Sequence, residues 1–552
     1  MEIQSGKEIP VEINYVDWKT PKNNDFLTVR QLTIGQHEER IPDHVIFLNG
    51  IPIVIIEYKS PFGGAKLQEA HDQLGKTRYQ REIPKLFCYN AFTVISNWKF
   101  TKYGTFESPL EFFFNWFDKD DPGSESEPER TGRFELFIND VFEKENLLNI
   151  ISFFIEYEDD GKNIIKKIGR KHQIQGVNKL VTRAEEIYGT EEKRIGTVFH
   201  GTGSGKSMSM IFFAEAMYRS TKLENPTIIV ITDRNDLDEQ LSDFFKVAGF
   251  PFPKPTGQHG IIREAQSIDN LREELDIPAG NLIFTTIQKF QLKKEEKEKL
   301  KKLKQKAKYP VLSTRNNIIL ICDEAHRSQY RKIAQNLNRA FPNALRVGFT
   351  ATPLEEGDRD TPETFGPIIS TYTQSQSVKD GTTVEIQYDG RCLGQHIIKN
   401  MQEGFNEITE SLNEEETEAV GKKWTDFVTL VEREERMKEI AKDVVFHFNE
   451  KKSVFPKGKA MLCASTKMAA ARYYEYINEI ENHPKCICVI SSGTSKKKKT
   501  SEDEKKEKYL KDHYRTKQQA KDLVTEFKTE ENDVELLIVC DMYLTGFDAP
   551  LV

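Results

Sequence analysis

Apolar residues recur along this chain with two periods, and the switches between them mark out the elements. Residues 37–60, HEERIPDHVIFLNGIPIVIIEYKS, carry two apolar runs on either side of Asn49-Gly50. That dipeptide between two such runs is the strongest short hairpin signal, because a two-residue turn needs positive φ at both positions. The segment LQEAHDQLGKTRYQREIPKLFCYN then reads as a helix with a basic face, ending before Pro84, and Phe87–Ser96 as another strand. Residues 118–132, DKDDPGSESEPERTG, read as a polar surface loop. Helical apolar spacing returns over Phe134–Phe154, residues 156–163 (EYEDDGKN) read as a linker, and a helix is expected from Ile164 onward.

Past Ile195 the pattern becomes an alternation. A short apolar strand (Ile195–Phe199) breaks into a glycine-rich turn and then a helical stretch, Met208–Ala216. The form recurs at 227–241, 281–290, 317–330 and 344–354, and again at 459–470, 486–492 and 534–550. Strands alternating with helices predict parallel, doubly wound α/β sheets, which bind ligands at the carboxyl ends of their strands. Two charged segments interrupt the alternation, a solvated helical insertion at 293–308 and a low-complexity loop at 494–508.

Composition narrows the class. A length of 552 residues suggests about three or four domains. Hydrophobic content of 38% with 30% charged residues fits a soluble globular protein, and no apolar run approaches membrane-spanning length, so no membrane partner is expected. The N-terminus, MEIQSGKEIP, lacks the form of a secretory signal. Seven cysteines, isolated except for Cys486 and Cys488, suit neither a zinc site nor a disulfide framework, so a reducing, cytoplasmic setting is expected. With a net charge of −8, any nucleic-acid contact must come from local patches, such as Lys66, Lys76, Arg78 and Arg81 on the first predicted helix.

Three constellations carry chemistry. HGTGSGKS (200–207) joins a buried strand to a helix, the context of a phosphate-binding loop, although His200 stands where glycine is usual. Its backbone N–H groups and the helix N-terminus would cradle a polyphosphate; Lys206 would reach the β- and γ-phosphates and Ser207 would hold Mg²⁺. A glycine-rich turn without a ligand is the alternative. At 323–326 a strand ends in DEAH, where Asp323 would hold the Mg²⁺ of ATP through water and Glu324 would act as general base; a polar helix cap is the alternative. In the hairpin, Glu57 and Lys59 lie two apart and so share a face, and the turn brings Asp43 back beside them. Two carboxylates and a lysine at a strand end suit Mg²⁺-dependent phosphodiester cleavage. The same three residues also occur where a strand simply leaves the core, but Ile53–Ile56 is wholly apolar, so charges arriving there need a reason.

Together, RIPDHVIFLNGIPIVIIEYK, HGTGSGKS, ITDRNDLDEQ, TTIQKF, DEAHRSQY, GFTATP and VCDMYLTGFDAP resemble superfamily 2 helicase motors. More closely, they resemble the restriction (R) subunit of type I restriction-modification enzymes, in that family's order and over most of the chain. The resemblance implies that Asp43, Glu57 and Lys59 form a nuclease triad of PD-(D/E)xK type, with Asp43 and Glu57 on metal. Arg170 and Gln173 match the adenine-reading element, and Thr202, Gly203, Ser204, Gly205, Lys206 and Ser207 match motif I. Asp323, Glu324, Ala325 and His326 match motif II, Thr350 and Thr352 motif III, and Thr545, Gly546 and Asp548 motif V. Thr232, Arg234, Thr285 and Thr286 fall where the family touches DNA phosphates.

Two departures stand out. The family places a Gln and a Tyr three residues apart on the helix after the triad, whereas five residues separate Gln73 from Tyr79. The arginine-rich motif VI expected after motif V does not appear before Val552, so the chain reads as truncated. The resemblance implies a restriction-endonuclease-like domain (1–152), a RecA-like helicase domain (153–360) and a second, partial one (361–552). It implies ATP and Mg²⁺ as cofactors, with double-stranded DNA and the methyltransferase and specificity subunits as partners. The rivals are a superfamily 2 helicase or remodeller with an inactive nuclease-like domain, and a nucleotide-gated DNA-binding scaffold.

Overall fold

The computed structural model describes residues 2–4, 7–9, 15–35, 39–62, 67–116 except 77 and 99, 127–159, 164–232, 245, 262–265, 268–275, 280–290, 309–323, 335–351, 360–385 except 382, 387–390, 432–491, 508–529 and 532–540. The chain divides into two compact units, Met1–Ile386 and Gln387–Val552. No helix among the described residues is long and apolar enough to cross a membrane.

The expected hairpin forms. Strands His44–Leu48 and Ile51–Tyr58 pair antiparallel, with Asn49 and Gly50 at φ 50° and 82°. They lie inside a six-stranded sheet running Phe114–Asn115, Thr101–Gly104, Phe92–Ser96, Ile51–Tyr58, His44–Leu48, Phe26–Arg30. Its one parallel contact joins Ile51–Tyr58 to Phe92–Ser96. Alternate residues feed opposite faces, as a period of two requires. Val45, Ile55 and Ile95 pack against Ala70, Leu74, Tyr79 and Phe87 on one side. Ile46, Val54, Ile56 and Val94 join the main core on the other.

The second sheet of this unit has seven parallel strands in the order Ile262–Glu264, Leu282–Thr286, Thr227–Thr232, Ile318–Cys322, Leu345–Thr350, Arg194–His200, Ile368–Tyr372. Ile228 and Val230 face the main core, and Ile229 and Ile231 face a second core with Leu271, Phe290 and Phe341. Both faces are therefore buried, which accounts for the unbroken apolar runs in its strands. The expected domain boundary at residue 360 needs correction. Strand Ile368–Tyr372 pairs with Arg194–His200, so the sheet continues past that point.

Four further expectations are corrected. Residues 127–132, read as loop, belong to helix Glu127–Val141. Phe134, Phe137, Ile138 and Val141 give that helix its apolar stripe, and Pro128 sits in its first turn, where a missing N–H costs nothing. Residues 156–159 of the expected linker and the start of the helix expected from Ile164 are instead strands, Ile155–Asp159 paired with Ile164–Ile168, before helix Lys171–Ile187; residues 160–163 lie outside the described residues. The helix after the first hairpin is broken into Leu67–Leu74 and Tyr79–Glu82 around Gly75. Segment 293–308 and all but the last residue of 494–508 lie outside the described residues.

The paired strands Ile155–Asp159 and Ile164–Ile168 fasten the two sheets together. The Tyr103 hydroxyl donates to Gly169 O at 3.0 Å, and Thr105 Oγ1 donates to Lys166 O at 3.0 Å. The buried Lys166 ammonium donates to Asn90 O and lies 5.4 Å from the Phe106 ring. On the side of the seven-stranded sheet Phe154 meets Phe212 edge-on at 5.1 Å. Beside it, burial raises the carboxyl pKa values of Glu156 and Glu215, which share a hydrogen bond, while Arg219 pairs with Glu215 at 2.6 Å. Tyr103, Phe137, Phe154, Phe212, Val198 and Phe349 all belong to one core.

The second unit carries a parallel sheet in the order Ala460–Ala464, Leu536–Cys540, Cys486–Ser491, Tyr514–Arg515. Helices Glu434–Val454 and Lys467–Asn478 contribute to the core on one face (Met437, Ala441, Ala470, Ile538), and Lys517–Phe527 to the core on the other (Val524, Leu537). The Lys459 ammonium ties the end of the last helix by donating to the carbonyls of Phe527, Thr529 and Asn532 at 2.8–3.0 Å.

Because one core serves both sheets of the first unit, Phe154→Ala is expected to lower the stability of both by about 3–5 kcal/mol. Denaturation followed by Trp116 fluorescence and by amide exchange in the seven-stranded sheet should give midpoints that shift together. Separate shifts would mean two independent cores.

Candidate active sites

The first site lies where strands His44–Leu48 and Ile51–Tyr58 end. Asp43 just precedes the first strand, and its backbone N–H points to Glu57 Oε1 at 3.4 Å. Asp43 Oδ2 accepts from the Tyr58 N–H at 2.8 Å, which fixes the carboxylate at the strand end. Glu57 is fully buried, and its Oε2 has no hydrogen-bond partner. Burial first, and the neighbouring Asp43 second, push its pKa up to about 8. Lys59, on the same face, donates to Gln73 Oε1 at 2.6 Å. Gln73 Nε2 in turn donates to the Tyr79 hydroxyl at 2.7 Å, and that hydroxyl donates to Ile41 O at 3.3 Å.

The wide spacing of Gln73 and Tyr79 therefore does not separate them. The turn at Gly75 absorbs the extra residues and returns Tyr79 beneath the helix that carries Gln73. A continuous helix would have put them on different faces. The signal available in the sequence was Gly75 itself, a helix breaker between the two.

No group of three or more His, Cys, Asp or Glu side chains converges as a metal centre among the described residues. The pair Asp43 and Glu57 still suits Mg²⁺, which keeps several waters and takes one or two protein carboxylates. The unpartnered, buried Oε2 of Glu57 is the kind of atom a cation satisfies.

The second site is the loop after strand Arg194–His200. Gly203 and Gly205 have φ of 78° and 83°, and Gly205 caps helix Lys206–Arg219. A Cβ on Gly205 would lie 2.5 Å from Gln173 Nε2. The loop is held from beneath by its neighbours. Gln173 Nε2 donates to Gly205 O at 2.8 Å while its Oε1 accepts from the Arg170 N–H at 2.8 Å. The His172 ring bonds Ser204 O at 3.0 Å and stacks on Tyr372 at 3.7 Å. Thr202, Gly203 and Ser207 are exposed at the rim, while Ser204 is buried. Lys206 Nζ lies 2.9 Å from Asp323 Oδ1, across from the end of strand Ile318–Cys322.

His200, in the usual glycine position, is buried and points away from the loop, with Nε2 bonded to Ser370 Oγ at 2.9 Å. Burial, with Lys206 nearby, lowers its pKa to about 4, so the ring is neutral. The substitution is tolerated because strand Ile368–Tyr372 supplies a partner for it.

Arg170 faces two ways, its backbone N–H to Gln173 and its side chain to the other sheet. Its guanidinium covers the Phe114 ring at 4.5 Å, at the edge of the six-stranded sheet, so the side chain joins the two halves of the unit. Thr232, Thr285, Thr286 and Thr350 are buried at or near carboxyl strand ends of the seven-stranded sheet. Glu324, Ala325, His326, Arg234, Thr352, Thr545, Gly546 and Asp548 lie outside the described residues.

Comparisons with known proteins bear on the family of the chain. Family models match residues 1–112 (type I restriction enzyme R protein N terminus), 172–418 (SWI2/SNF2 ATPase) and 456–552 (type I restriction enzyme subunit R domain 3). The MjaIXP endonuclease subunit of Methanocaldococcus jannaschii is 34% identical over 99% of this chain and 51% of its own length. The type I restriction enzyme HindI endonuclease subunit of Haemophilus influenzae is 36% identical over 99% of this chain and 51% of its own. The chain thus spans about half the length of these relatives.

Two outcomes follow from the geometry. Burial pushes the Glu57 pKa up to about 8, so a Mg²⁺ ion bound there would displace a proton. Calorimetry in buffers of different ionisation enthalpy should show about one proton released per ion at pH 7 and little at pH 9, with affinity rising between them; Glu57→Gln should remove the release. At the other site, Gly205→Ala puts a side chain at a left-handed φ and against Gln173. A loss of about 1–3 kcal/mol in ATP affinity is expected, checked by titration calorimetry.

Proposed function

We propose, for a chain that belongs to the family of type I restriction enzyme endonuclease (R) subunits, an ATP-driven translocase of double-stranded DNA coupled to a Mg²⁺-dependent endonuclease. The observation that carries the proposal is the presence, within one compact unit, of a phosphate-loop lysine 2.9 Å from Asp323 and a buried Glu57 beside Asp43 and Lys59.

At the first site Asp43 and Glu57 hold Mg²⁺ in a PD-(D/E)xK arrangement. The ion lowers the pKa of a bound water and offsets charge on the scissile phosphate. Lys59, aimed by Gln73, orients the attacking water or stabilises the charge that develops on phosphate. Tyr79 holds Gln73 in place. At the second site the N–H groups of 202–207, with Lys206, bind the phosphates of ATP. Ser207 and Asp323 hold its Mg²⁺, and Glu324 activates the hydrolytic water. Gln173 reads adenine from beneath the loop it braces, and Arg170 belongs to the same element.

The domain division fitting this reading is endonuclease over 1–152, first motor domain from 153 to the end of the first compact unit, and second motor domain beyond. DNA-phosphate contacts are assigned to Thr232, Arg234, Thr285 and Thr286, and coupling roles to Thr350, Thr352, Thr545, Gly546 and Asp548. The complex would include methyltransferase and specificity subunits, which supply sequence recognition, in the cytoplasm. HindI and MjaIXP, both named endonuclease subunits, support the cutting role over the rival with a silent nuclease fold.

Asp43→Ala in the assembled complex should abolish double-strand cleavage while ATP turnover stays within about twofold of wild type, a difference read on circular DNA carrying the recognition site. A variant that still cuts would refute the nuclease assignment. ATP turnover lost together with cleavage would show that the site serves the motor instead.

A further inference from the structure

Between Arg30 and His44 the chain leaves the six-stranded sheet, and Asp43 stands where it returns. Regular pairing with the outer strand stops at Arg30 and His44, and Gln31, next along, is at φ 50°. The sheet holds Asp43 by two bonds, from the Gln31 N–H to Asp43 O at 2.9 Å and from the Tyr58 N–H to Asp43 Oδ2 at 2.8 Å. The place of its carboxylate therefore also depends on what holds the residues before it.

Those residues are gripped by helix Tyr79–Glu82. Val45 and Ile55 pack toward Tyr79, and Asp43 and Glu57, two positions from each, share that face of the sheet. Tyr79 and Glu82 lie three apart and so project from one side of their helix. The Tyr79 hydroxyl donates to Ile41 O at 3.3 Å, and Glu82 Oε2 accepts from Arg40 Nε at 2.6 Å. Glu82 is buried, and its Oε1 accepts from Arg81 Nη2 at 3.1 Å. Arg40 and Ile41 are thus both anchored to one helix, and only Pro42, whose φ is fixed by its ring, separates them from Asp43. The same helix reaches the other arm of the site, from Tyr79 through Gln73 to Lys59. A largely desolvated charge pair adds little to net stability, but it can select one arrangement of the chain among several.

We propose that Glu82, acting through Arg40, is a positioning residue for the Mg²⁺ site, its ion pair setting segment 40–43 on the helix and so keeping the Asp43 carboxylate beside Glu57 for a shared ion. The proposal rests on the nuclease reading and deepens it. The short helix becomes the common support of both arms, Lys59 on one side and Asp43 on the other. Breaking the pair removes neither acid but lets one of them drift, so the cost falls on metal affinity and not on cleavage once the metal is bound.

The test uses the full-length subunit. Mg²⁺ affinity is read by titration calorimetry without nucleotide, where the heat lost in Glu57→Gln marks this site; cleavage and ATP turnover are read in the assembled complex. Glu82→Met and Arg40→Met are each expected to weaken Mg²⁺ binding about 10- to 100-fold. Cleavage at saturating Mg²⁺ should stay within about twofold of wild type, the signature of lost binding alone. The double variant should lose no more than either single one, since both break the same interaction. ATP turnover, which relies on the core shared by the two sheets, should be unchanged. Wild-type Mg²⁺ affinity in Glu82→Met would overturn the proposal, and so would additive losses in the double variant. ATP turnover falling in step with Mg²⁺ affinity would also overturn it, because the pair would then merely hold the fold. If wild type and Glu57→Gln titrate alike, the nuclease reading itself falls; if they differ while Glu82→Met matches wild type, only the positioning role does.

Discussion

The first unit depends on one constraint, that a single apolar core is shared by two sheets of different kinds. Ile56 and Val94 from the mixed six-stranded sheet and Val198 and Phe349 from the parallel seven-stranded sheet belong to the same buried cluster. The paired strands Ile155–Asp159 and Ile164–Ile168 are tied to the six-stranded sheet through the Tyr103 hydroxyl on Gly169 O and the Lys166 ammonium on Asn90 O, and the neighbouring Phe154 meets Phe212 in the shared core. Dense packing of this kind transmits displacement instead of absorbing it. Neither sheet can shift against the other without opening cavities or stranding those hydrogen bonds.

The two candidate sites answer to this constraint in different ways. At the strand ends of the mixed sheet, Glu57 is buried by the fold, and its raised pKa comes from the same apolar surroundings that stabilise the sheet. The phosphate loop instead bears left-handed glycines and is held by bonds from outside itself, from Gln173 and His172 below. Arg170 links the two settings. Its N–H steadies the Gln173 amide while its guanidinium lies on Phe114 of the other sheet.

Much of this was readable in the sequence where the local code agrees with the tertiary outcome. Asn49-Gly50 marked its turn, the apolar runs ending at Thr232, Cys322 and Thr350 marked parallel strands, and HGTGSGKS marked its loop. What could not be read was decided at a distance. Ile164–Ile168 looks helical beside Lys171–Ile187, because its pairing with Ile155–Asp159 lies across a polar stretch that resembles a linker. Helix Glu127–Val141 begins inside a segment too polar to signal a helix, while Phe137 and Val141 in its later turns lie in the core. His200 looks like a defect in the loop until Ser370 is seen opposite it. Gln73 and Tyr79 looked mismatched because spacing was counted along a helix that in fact breaks between them.

The order of strands in the parallel sheet has a consequence for how the protein is made. Arg194–His200, which leads into the phosphate loop, is flanked by Leu345–Thr350 and Ile368–Tyr372, and its His200 finds Ser370 only 170 residues later. At translation speeds of about 5–20 residues per second, that strand waits on the order of ten seconds or more after leaving the ribosome before either neighbour exists. Through the shared core, the mixed sheet waits without the partners that Val198, Val347 and Phe349 supply. During synthesis the surface those residues cover is where a chaperone would find the nascent chain.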